Sequence, residues 1–141
     1  MTNTLSATGS CSCPGMVGAS IGGGVGRYQG LYGLMVDNIL SARLVTATGE
    51  VVIVSETENS DLFWAIRGAG ANFGIVTSIT YRLHPLSNDG QVLTADFIIP
   101  ASQNGSYFDL IQSFQQNMTD KLATVSIMEY NNTVGEVCAS F

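Results

Sequence analysis

The feature that most constrains this chain is a glycine-rich segment near its amino terminus, residues 11–38. It contains eight of the sixteen glycines, and its only charged residues are Arg27 and Asp37. Glycine loses more conformational freedom on folding than any other residue, so such a segment indicates close backbone approach or positive φ angles. The run GGGVG at 22–26 predicts bare backbone N–H groups that could hold an anion. A tightly turning loop is the alternative interpretation.

Two familiar phosphate-binding motifs do not fit this segment. A Walker loop needs a lysine after its glycines, and residues 24–30 contain none. Residues 24–30 and 68–74 both read G-x-G-x-x-x-G, which is one residue longer than the dinucleotide-binding fingerprint. The spacing therefore argues against both P-loop and Rossmann nucleotide binding.

Composition limits the remaining classes of protein. The chain has 141 residues, the size of one ordinary domain, with 45% hydrophobic and only 11% charged residues. The hydrophobic content is ample for a packed core, and the low charged fraction indicates a surface of which much is covered. A net charge of −6 argues against a nucleic-acid partner. We expect no membrane span, no signal peptide in residues 1–10 and no metal site.

Hydrophobic patterning predicts an α+β fold. Residues 39–55 alternate and are rich in β-branched side chains around a turn at 47–50, which predicts a β-hairpin. A strand at 73–83 is expected in the same sheet. Strict alternation along that strand would place Val76 and Ile79 on opposite faces.

A short helix is predicted between the hairpin and the third strand. It should cover residues 62–67, begin at an N-cap within 59–60 and end at Gly68. We expect Phe63 and Trp64 to be core residues of this helix, since large aromatic side chains bury much area.

The texture of the sequence changes after a turn-rich stretch at 84–90. A strand at 91–99, an amphipathic helix at 102–118 and a strand at 122–130 are predicted there. They would begin a second α+β layer.

The chain contains five short sequence blocks. Their order and spacing together indicate a protein family more specifically than any one block does alone. They are Cys11-Ser12-Cys13-Pro14-Gly15, Gly22-Gly23-Gly24-Val25-Gly26, Tyr32-Gly33-Leu34 with Asp37-Asn38, Asp61-Leu62-Phe63-Trp64-Ala65-Ile66-Arg67-Gly68, and Asn72-Phe73-Gly74-Ile75-Val76-Thr77. Over residues 11–85 they resemble the berberine-bridge-enzyme-like FAD-linked oxidases of the vanillyl-alcohol-oxidase superfamily. The resemblance implies that residues 1–86 are the second half of a PCMH-type FAD-binding domain. Residues 91–141 would begin a substrate domain.

The resemblance implies FAD as cofactor and an oxidoreductase activity. Enzymes of this family take a hydride from a substrate C–H bond onto flavin N5, and many then reduce oxygen to peroxide. It implies a small-molecule substrate, with sugars, alkaloids, alcohols and polyketides all open. The implied cofactor-binding residues are Cys11, Gly15, Gly18, Gly22, Gly23, Gly24, Gly26, Tyr32, Gly33, Asp37, Asn38, Ile39, Gly74, Ile75 and Val76.

Several single residues need separate interpretation. Cys11 falls where relatives carry the cysteine that bonds flavin C6, with Cys13 or simple packing as alternatives. Pro14 replaces the usual Val or Leu beside the flavin, which leaves oxidase and dehydrogenase open. Asp37 is interpreted as a backbone and capping residue, with a catalytic acid as the alternative. His84 is predicted to be a surface or boundary residue.

Two alternatives stand beside a fragment of an FAD-dependent oxidoreductase. One is a truncated flavin-binding remnant without catalysis, and the other is a β-rich module that binds an anionic ligand. Because the family's first flavin-binding half has no match here, we expect residues 1–141 by themselves to fold poorly and to lack oxidase activity. Family members are often secreted, and sequons at Asn104, Asn117 and Asn131 agree with an extracellular location for a full-length relative.

Overall fold

The chain divides between Gly90 and Gln91 into two units, each with its own sheet and helices. The computed structural model describes residues 4–133 and 135–140. The elements of the first unit are β1 (Thr4–Leu5), α1 (Met16–Ile21), α2 (Gln29–Tyr32), a 3₁₀ helix (Met35–Asn38), β2 (Ile39–Val45), β3 (Val51–Ser55), α3 (Ser60–Ala69), β4 (Ile75–Tyr81) and β5 (His84–Pro85).

A three-stranded antiparallel sheet with the order β3-β2-β4 forms the centre of the first unit. The predicted hairpin and the third strand of the sheet are thus confirmed. One face of the sheet carries a buried apolar cluster to which the 3₁₀ helix and α3 also contribute. Its members are Val36, Ile39, Ala42, Leu44, Val54, Phe63 and Ile66. Full burial of each large side chain contributes about 1.5–3 kcal/mol, so this cluster stabilises the unit.

Strand β4 departs from simple alternation. Against β2, Ser78 pairs with Arg43 whereas Val76 pairs with Leu44, so the register shifts by one residue between them. The extra residue on β4 forms a β-bulge, which changes the face that the following side chains occupy. Val76 and Ile79 consequently pack against the same core, and the predicted placement on opposite faces is wrong.

Helix α3 forms as predicted and begins two residues before the expected range, at Ser60. Its N-cap is Asn59, and Gly68 leaves helical geometry with a φ of 129°. Phe63 is buried at 2% exposure, but Trp64 is 74% exposed, so the prediction of a buried Trp64 is wrong. Adjacent helix positions point about 100° apart, and only one of the two rings can face the sheet.

The second unit consists of β6 (Ile98–Pro100), α4 (Asn104–Asn117), β7 (Ile127–Asn131) and β8 (Glu136–Ser140). Its antiparallel strand order is β6-β8-β7, and Tyr107, Cys138 and Ala139 are buried. The predicted helix is confirmed. No helix of the described residues has the length and apolar character needed to cross a membrane.

Two strand predictions in this unit need correction. Residues 91–97 are not a strand, since β6 pairs with β8 only from Ile98 onward. Leu93 is 95% exposed, which shows that its apolar pattern does not reflect burial. The strand predicted at 122–130 is shorter and begins at residue 127. Strand β8 was not predicted.

Candidate functional site

Short helices and turns form the glycine-rich segment. Helices α1 and α2 and the 3₁₀ helix contain six, four and four residues. Gly23 and Gly24 lie between α1 and α2 with φ angles of 117° and 74°. Such angles are open to glycine but strained for other residues, so the composition of this stretch has a backbone cause.

A cavity of about 210 Å³ opens beside this segment. Residues from both ends of the segment line it together with the stretch that precedes α1. The lining includes Thr8, Ser10, Cys11, Pro14, Gly24 and Met35. The cavity therefore brings the two first sequence blocks together around one space.

Some glycines of the predicted site are required by contacts within the chain. A Cβ on Gly24 would overlap with the Met35 side chain, and a Cβ on Gly26 would overlap with the Thr8 carbonyl. Gly26 also forms an isolated β-bridge with Gly9. These positions hold the segment together, so close approach of a ligand is not needed to explain them.

Other glycines face open space. A Cβ on Gly15, Gly18 or Gly23 would have no neighbouring atom within 4 Å, and one on Gly22 would make only ordinary contacts. Gly15 and Gly18 are exposed. These are the positions at which a bound group could approach the backbone without meeting the chain itself.

The predicted row of bare N–H groups at 22–26 is wrong for its first two members. The Gly22 N–H donates to the Ala19 carbonyl at 3.3 Å, and the Gly23 N–H donates to the Ser20 carbonyl at 3.0 Å. Both bonds close the carboxyl end of α1, where helix carbonyls otherwise lack partners. An anion nest could therefore use at most the later amides of the run.

The carbonyls of the same run connect it to the 3₁₀ helix. The Met35 N–H donates to the Gly24 carbonyl at 2.8 Å, and the Val36 N–H donates to the Gly23 carbonyl at 3.0 Å. The wall of the cavity at Gly24 and Met35 is thus fixed by these two hydrogen bonds. Any movement of residues 35–36 would move the glycine backbone with it.

The two neighbouring cysteines differ in their relation to the cavity. Cys11 and Cys13 are both exposed free thiols. Cys11 belongs to the cavity lining, together with Pro14, whereas Cys13 does not. The geometry therefore favours Cys11 over Cys13 as a group that could meet a ligand in the cavity.

Asp37 and Asn38 serve the backbone, as predicted. Asp37 Oδ2 accepts a hydrogen bond from the Leu34 N–H at 2.9 Å. Asn38 is buried at 2% exposure, and its Nδ2 donates to the carbonyls of Tyr32 (2.9 Å) and Leu34 (2.8 Å). A Cβ on Gly33 would come within 2.8 Å of Asp37 Oδ2, which explains why this tight loop needs a glycine.

His84 makes more contacts than the prediction of a surface or boundary residue implied. It is half-buried, and its ring stacks on Tyr32 with a centroid distance of 4.0 Å and an interplanar angle of 13°. Its Nε2 lies 2.5 Å from Asn38 Oδ1. Since these partners lie 46 or more residues away in the chain, no local sequence signal could have revealed them.

Of the fifteen predicted site residues, only Cys11 and Gly24 line the cavity, and four of the others lie in the central sheet or directly before β4. The Ile39 side chain belongs to the buried core, and Val76 packs against that core. Gly74, with a φ of 147°, lies so close to the Val45 carbonyl that a Cβ would overlap with it, and Ile75 is 73% exposed. None of these four residues lines the cavity.

Comparison with known proteins shows which proteins this chain resembles. Residues 3–55 match the family model described as "FAD binding domain". The chain is 53% identical over 131 residues to an FAD-linked oxidoreductase of Aspergillus ruber, covering 92% of this chain and 26% of the relative. It is 50% identical over 129 residues to an FAD-linked oxidoreductase of Pyricularia oryzae, covering 92% and 25%.

Solved structures agree with these relatives. A TM-score of 0.81 at 31% identity relates the chain to 6-hydroxy-D-nicotine oxidase of Arthrobacter nicotinovorans, over 98% of this chain and 30% of that one. Berberine-bridge-enzyme-like protein 1 of Physcomitrella patens gives 0.73 at 31% identity, over 98% and 29%. The predicted α+β fold class and the resemblance to the FAD-linked oxidases are confirmed, and FAD is the cofactor that they indicate.

The chain spans about a quarter of the length of the curated relatives that it matches. It is thus related to one part of the FAD-linked oxidoreductases. The similar part includes residues 3–55 of this chain, which match the FAD-binding domain model.

Proposed function

We propose that the chain supplies part of the flavin site of an FAD-dependent oxidoreductase. The observation that carries this proposal is the cavity lined by Cys11, Pro14, Gly24 and Met35, with open glycines nearby. Bound FAD would supply the redox chemistry by accepting a hydride from a substrate C–H bond at N5, with oxygen as the final oxidant.

Within this site we assign two roles to the predicted residues. Gly15, Gly18, Gly22 and Gly23 leave room for the cofactor to approach the backbone. A second group, which comprises Gly24, Gly26, Tyr32, Gly33, Asp37 and Asn38, holds that backbone through contacts within the chain. Ile39, Gly74, Ile75 and Val76 would contact FAD through their backbone and away from this cavity.

We further propose that Cys11 bonds flavin C6. The bond balances if the thiol proton and the C6 proton are released while two electrons pass to oxygen. Cys11 lines the cavity as an exposed thiol, and Cys13 provides a matched control two residues away.

Incubation of the purified chain with FAD and oxygen, followed by acid precipitation and peptide mass mapping, tests the linkage. We expect flavin mass on the peptide that contains Cys11 and loss of this mass in Cys11→Ala. The Cys13→Ala variant should retain it. Flavin mass that persists on the same peptide of Cys11→Ala would refute the assignment.

The proposed donors are small molecules. The similar structures include a xylooligosaccharide oxidase of Myceliophthora thermophila in complex with xylobiose, matched with a TM-score of 0.70, and the 6-hydroxy-D-nicotine oxidase. Sugars and amines share a C–H bond next to an oxygen or nitrogen, which stabilises positive charge as hydride leaves. We propose this type of C–H bond as the site of oxidation.

For residues 1–141 alone we propose FAD binding without turnover. The described part of the second unit exposes many apolar side chains, among them Leu93 at 95%, Tyr130 at 60% and Met128 at 57%. Exposed apolar surface promotes association, so the monomer should be separated by size exclusion before measurement. Poor folding of the isolated chain stays a prediction.

The measurement is a flavin titration by fluorescence, followed by a peroxide assay with oligosaccharides, alcohols and cyclic amines. The expected result is saturable FAD binding and no peroxide beyond the single equivalent that formation of the Cys11 linkage releases. Peroxide production over many equivalents that depends on an added donor would show that this chain is itself a complete catalyst, whereas absence of saturable binding would contradict the flavin site.

Secretion is part of the proposal for the full-length protein. Of the three sequons, that of Asn117 lies at the exposed carboxyl end of α4, where an oligosaccharyltransferase could reach it. Expression through a secretory pathway should give a mass shift that endoglycosidase removes and that Asn117→Gln reduces. An unmodified product would argue against this location.

A further inference from the structure

Strand β5 contacts both ends of the loop that precedes the sheet, residues 32–38. Tyr32 Oη donates to the Pro85 carbonyl at 3.1 Å, and the His84 ring stacks on the Tyr32 ring. At the other end of the loop, the Arg82 N–H donates to the Asn38 carbonyl at 2.8 Å. His84 Nε2 also reaches the Asn38 side chain.

The hydrogen bonds of Asn38 decide which way its amide and the histidine are oriented. Nδ2 lies within 2.9 Å of two carbonyls, those of Tyr32 and Leu34, so this atom must be the nitrogen and must donate both its hydrogens. Oδ1 is therefore the acceptor toward His84. Consequently His84 Nε2 carries a hydrogen, and the tautomer protonated only at Nδ1 is excluded.

The contact continues from Asn38 toward the cavity. Asn38 closes the loop by binding the carbonyls of Tyr32 and Leu34, and the next two residues after Leu34 donate to Gly24 and Gly23. Gly24 and Met35 are lining residues of the cavity, whereas His84 is not. A chain of contacts through Asn38 thus connects His84, which lies outside the cavity, to the cavity wall.

We propose that His84 is a positioning residue for the flavin site, which it serves by donating Nε2–H to Asn38 and so fixing residues 32–36 against the glycine backbone. This role rests on the proposed FAD function. Asn38 is buried, so loss of the histidine donor leaves Oδ1 without a partner in a place that water does not reach. The loop would then relax, and the cavity wall at Gly24 and Met35 would loosen.

Three variants separate the hydrogen bond from the stacking contact. His84→Phe retains a ring over Tyr32 but lacks the donor. His84→Gln lacks the ring but places an amide N–H near the position of Nε2. His84→Asn carries the same amide on a side chain that is too short to reach Asn38, and it serves as the matched control for the glutamine.

Amide hydrogen exchange of the chain without cofactor gives the first readout. We expect the Met35 and Val36 amides, which donate to Gly24 and Gly23, to exchange about tenfold faster in His84→Phe and His84→Asn, because a buried acceptor has lost its donor. In His84→Gln they should remain within about twofold of the parent, since the donor is kept. Amides of β2 and β3 provide the internal reference.

The FAD titration gives the second readout and separates the two proposals. If the parent chain binds FAD, the dissociation constant should rise about tenfold in the Phe and Asn variants and stay near the parent value in the Gln variant. Equal affinity and equal exchange in all four proteins would overturn the role of His84. A parent chain that does not bind FAD would refute the flavin site, while the exchange result would still decide the role of His84 in the loop.

The parent chain itself provides a further test, which needs no variant and therefore does not depend on whether a variant folds. The ¹⁵N chemical shifts of the His84 imidazole report which ring nitrogen is protonated. We expect a hydrogen on Nε2 across the neutral range. A neutral ring protonated at Nδ1 would overturn the proposal.

Discussion

The β3-β2-β4 sheet with α3 and the glycine-rich segment before it are held together in different ways. The sheet region buries a contiguous apolar cluster that includes Leu44, Val54 and Phe63. In the glycine-rich segment, α2 has no buried residue and α1 has only Ser20. Hydrogen bonds and close glycine contacts hold α1, α2 and the turns between them, and apolar burial begins only at Met35 and Val36, at the end of the segment. The fold of this unit thus rests mainly on one region, and the proposed cofactor site rests on the other.

The comparison teaches why the two regions should respond differently to substitution. Burial is non-directional and tolerates small shifts, so the sheet should lose stability without losing its arrangement. Hydrogen bonds and glycine contacts depend on position within a few tenths of an ångström. Substitutions in the segment should therefore affect cofactor binding more than they affect unfolding.

The largest expected effect on stability comes from the core. Phe63→Ala should lower the free energy of unfolding by about 3–5 kcal/mol, because it leaves a cavity in the buried cluster. The neighbouring Trp64 provides a matched control. Trp64→Ala should change the free energy of unfolding by no more than about 0.5 kcal/mol, since the ring is 74% exposed. Urea unfolding followed by circular dichroism measures both. Equal losses would show that the burial pattern of α3 is wrong.

An intermediate effect is expected at Gly26. An added methyl group would overlap with the Thr8 carbonyl, so Gly26→Ala should lower the free energy of unfolding by about 1–3 kcal/mol. Hydrogen exchange should increase around the bridge between Gly9 and Gly26 and remain slow in β2. Parent-like stability and exchange would mean that this contact does not hold the segment.

The smallest effect on stability is expected at Gly18, and it has the opposite sign. This glycine lies inside α1 with open space at its Cβ position, so Gly18→Ala should stabilise the helix by about 0.5–1 kcal/mol. If FAD approaches this face, the same change should weaken FAD binding. If the affinity for FAD is unchanged, Gly18 does not contact the cofactor. That result would not test the proposed role of the other open glycines.

The sheet region could be predicted from the sequence because the alternation of apolar residues that specifies a strand is visible within a few neighbouring residues. Alternating β-branched residues around a turn are sufficient to specify the hairpin, and a glycine after an apolar run is sufficient to end α3. The bulge that moves Val76 to the core face could not be predicted, because register is set by pairing with Arg43 and Leu44. The prediction of a buried Trp64 is wrong because the apolar character of a residue does not determine whether its face of the helix packs against the sheet.

The candidate site was predictable as a segment but not as a structure. Its glycine content and the five sequence blocks located it, whereas α1 and α2 are too short to show helical periodicity. The division between open and internally required glycines depends on neighbours such as Thr8 and Met35, which only the folded chain brings close. The contact of His84 with Asn38 could not be predicted either, because the two residues are 46 positions apart in the sequence.

A titration of the ¹⁵N-labelled monomeric chain with FAD, followed by amide chemical shifts, tests most directly whether the glycine-rich segment is the flavin site. Shift changes should saturate and should be largest at residues 8–26 and at Met35, around the cavity, with smaller changes at Ile39 and residues 74–76. The amides of β3 should remain unchanged. Changes that never saturate, or that map to β3 and spare the glycine-rich segment, would contradict the assignment of this segment as the flavin site.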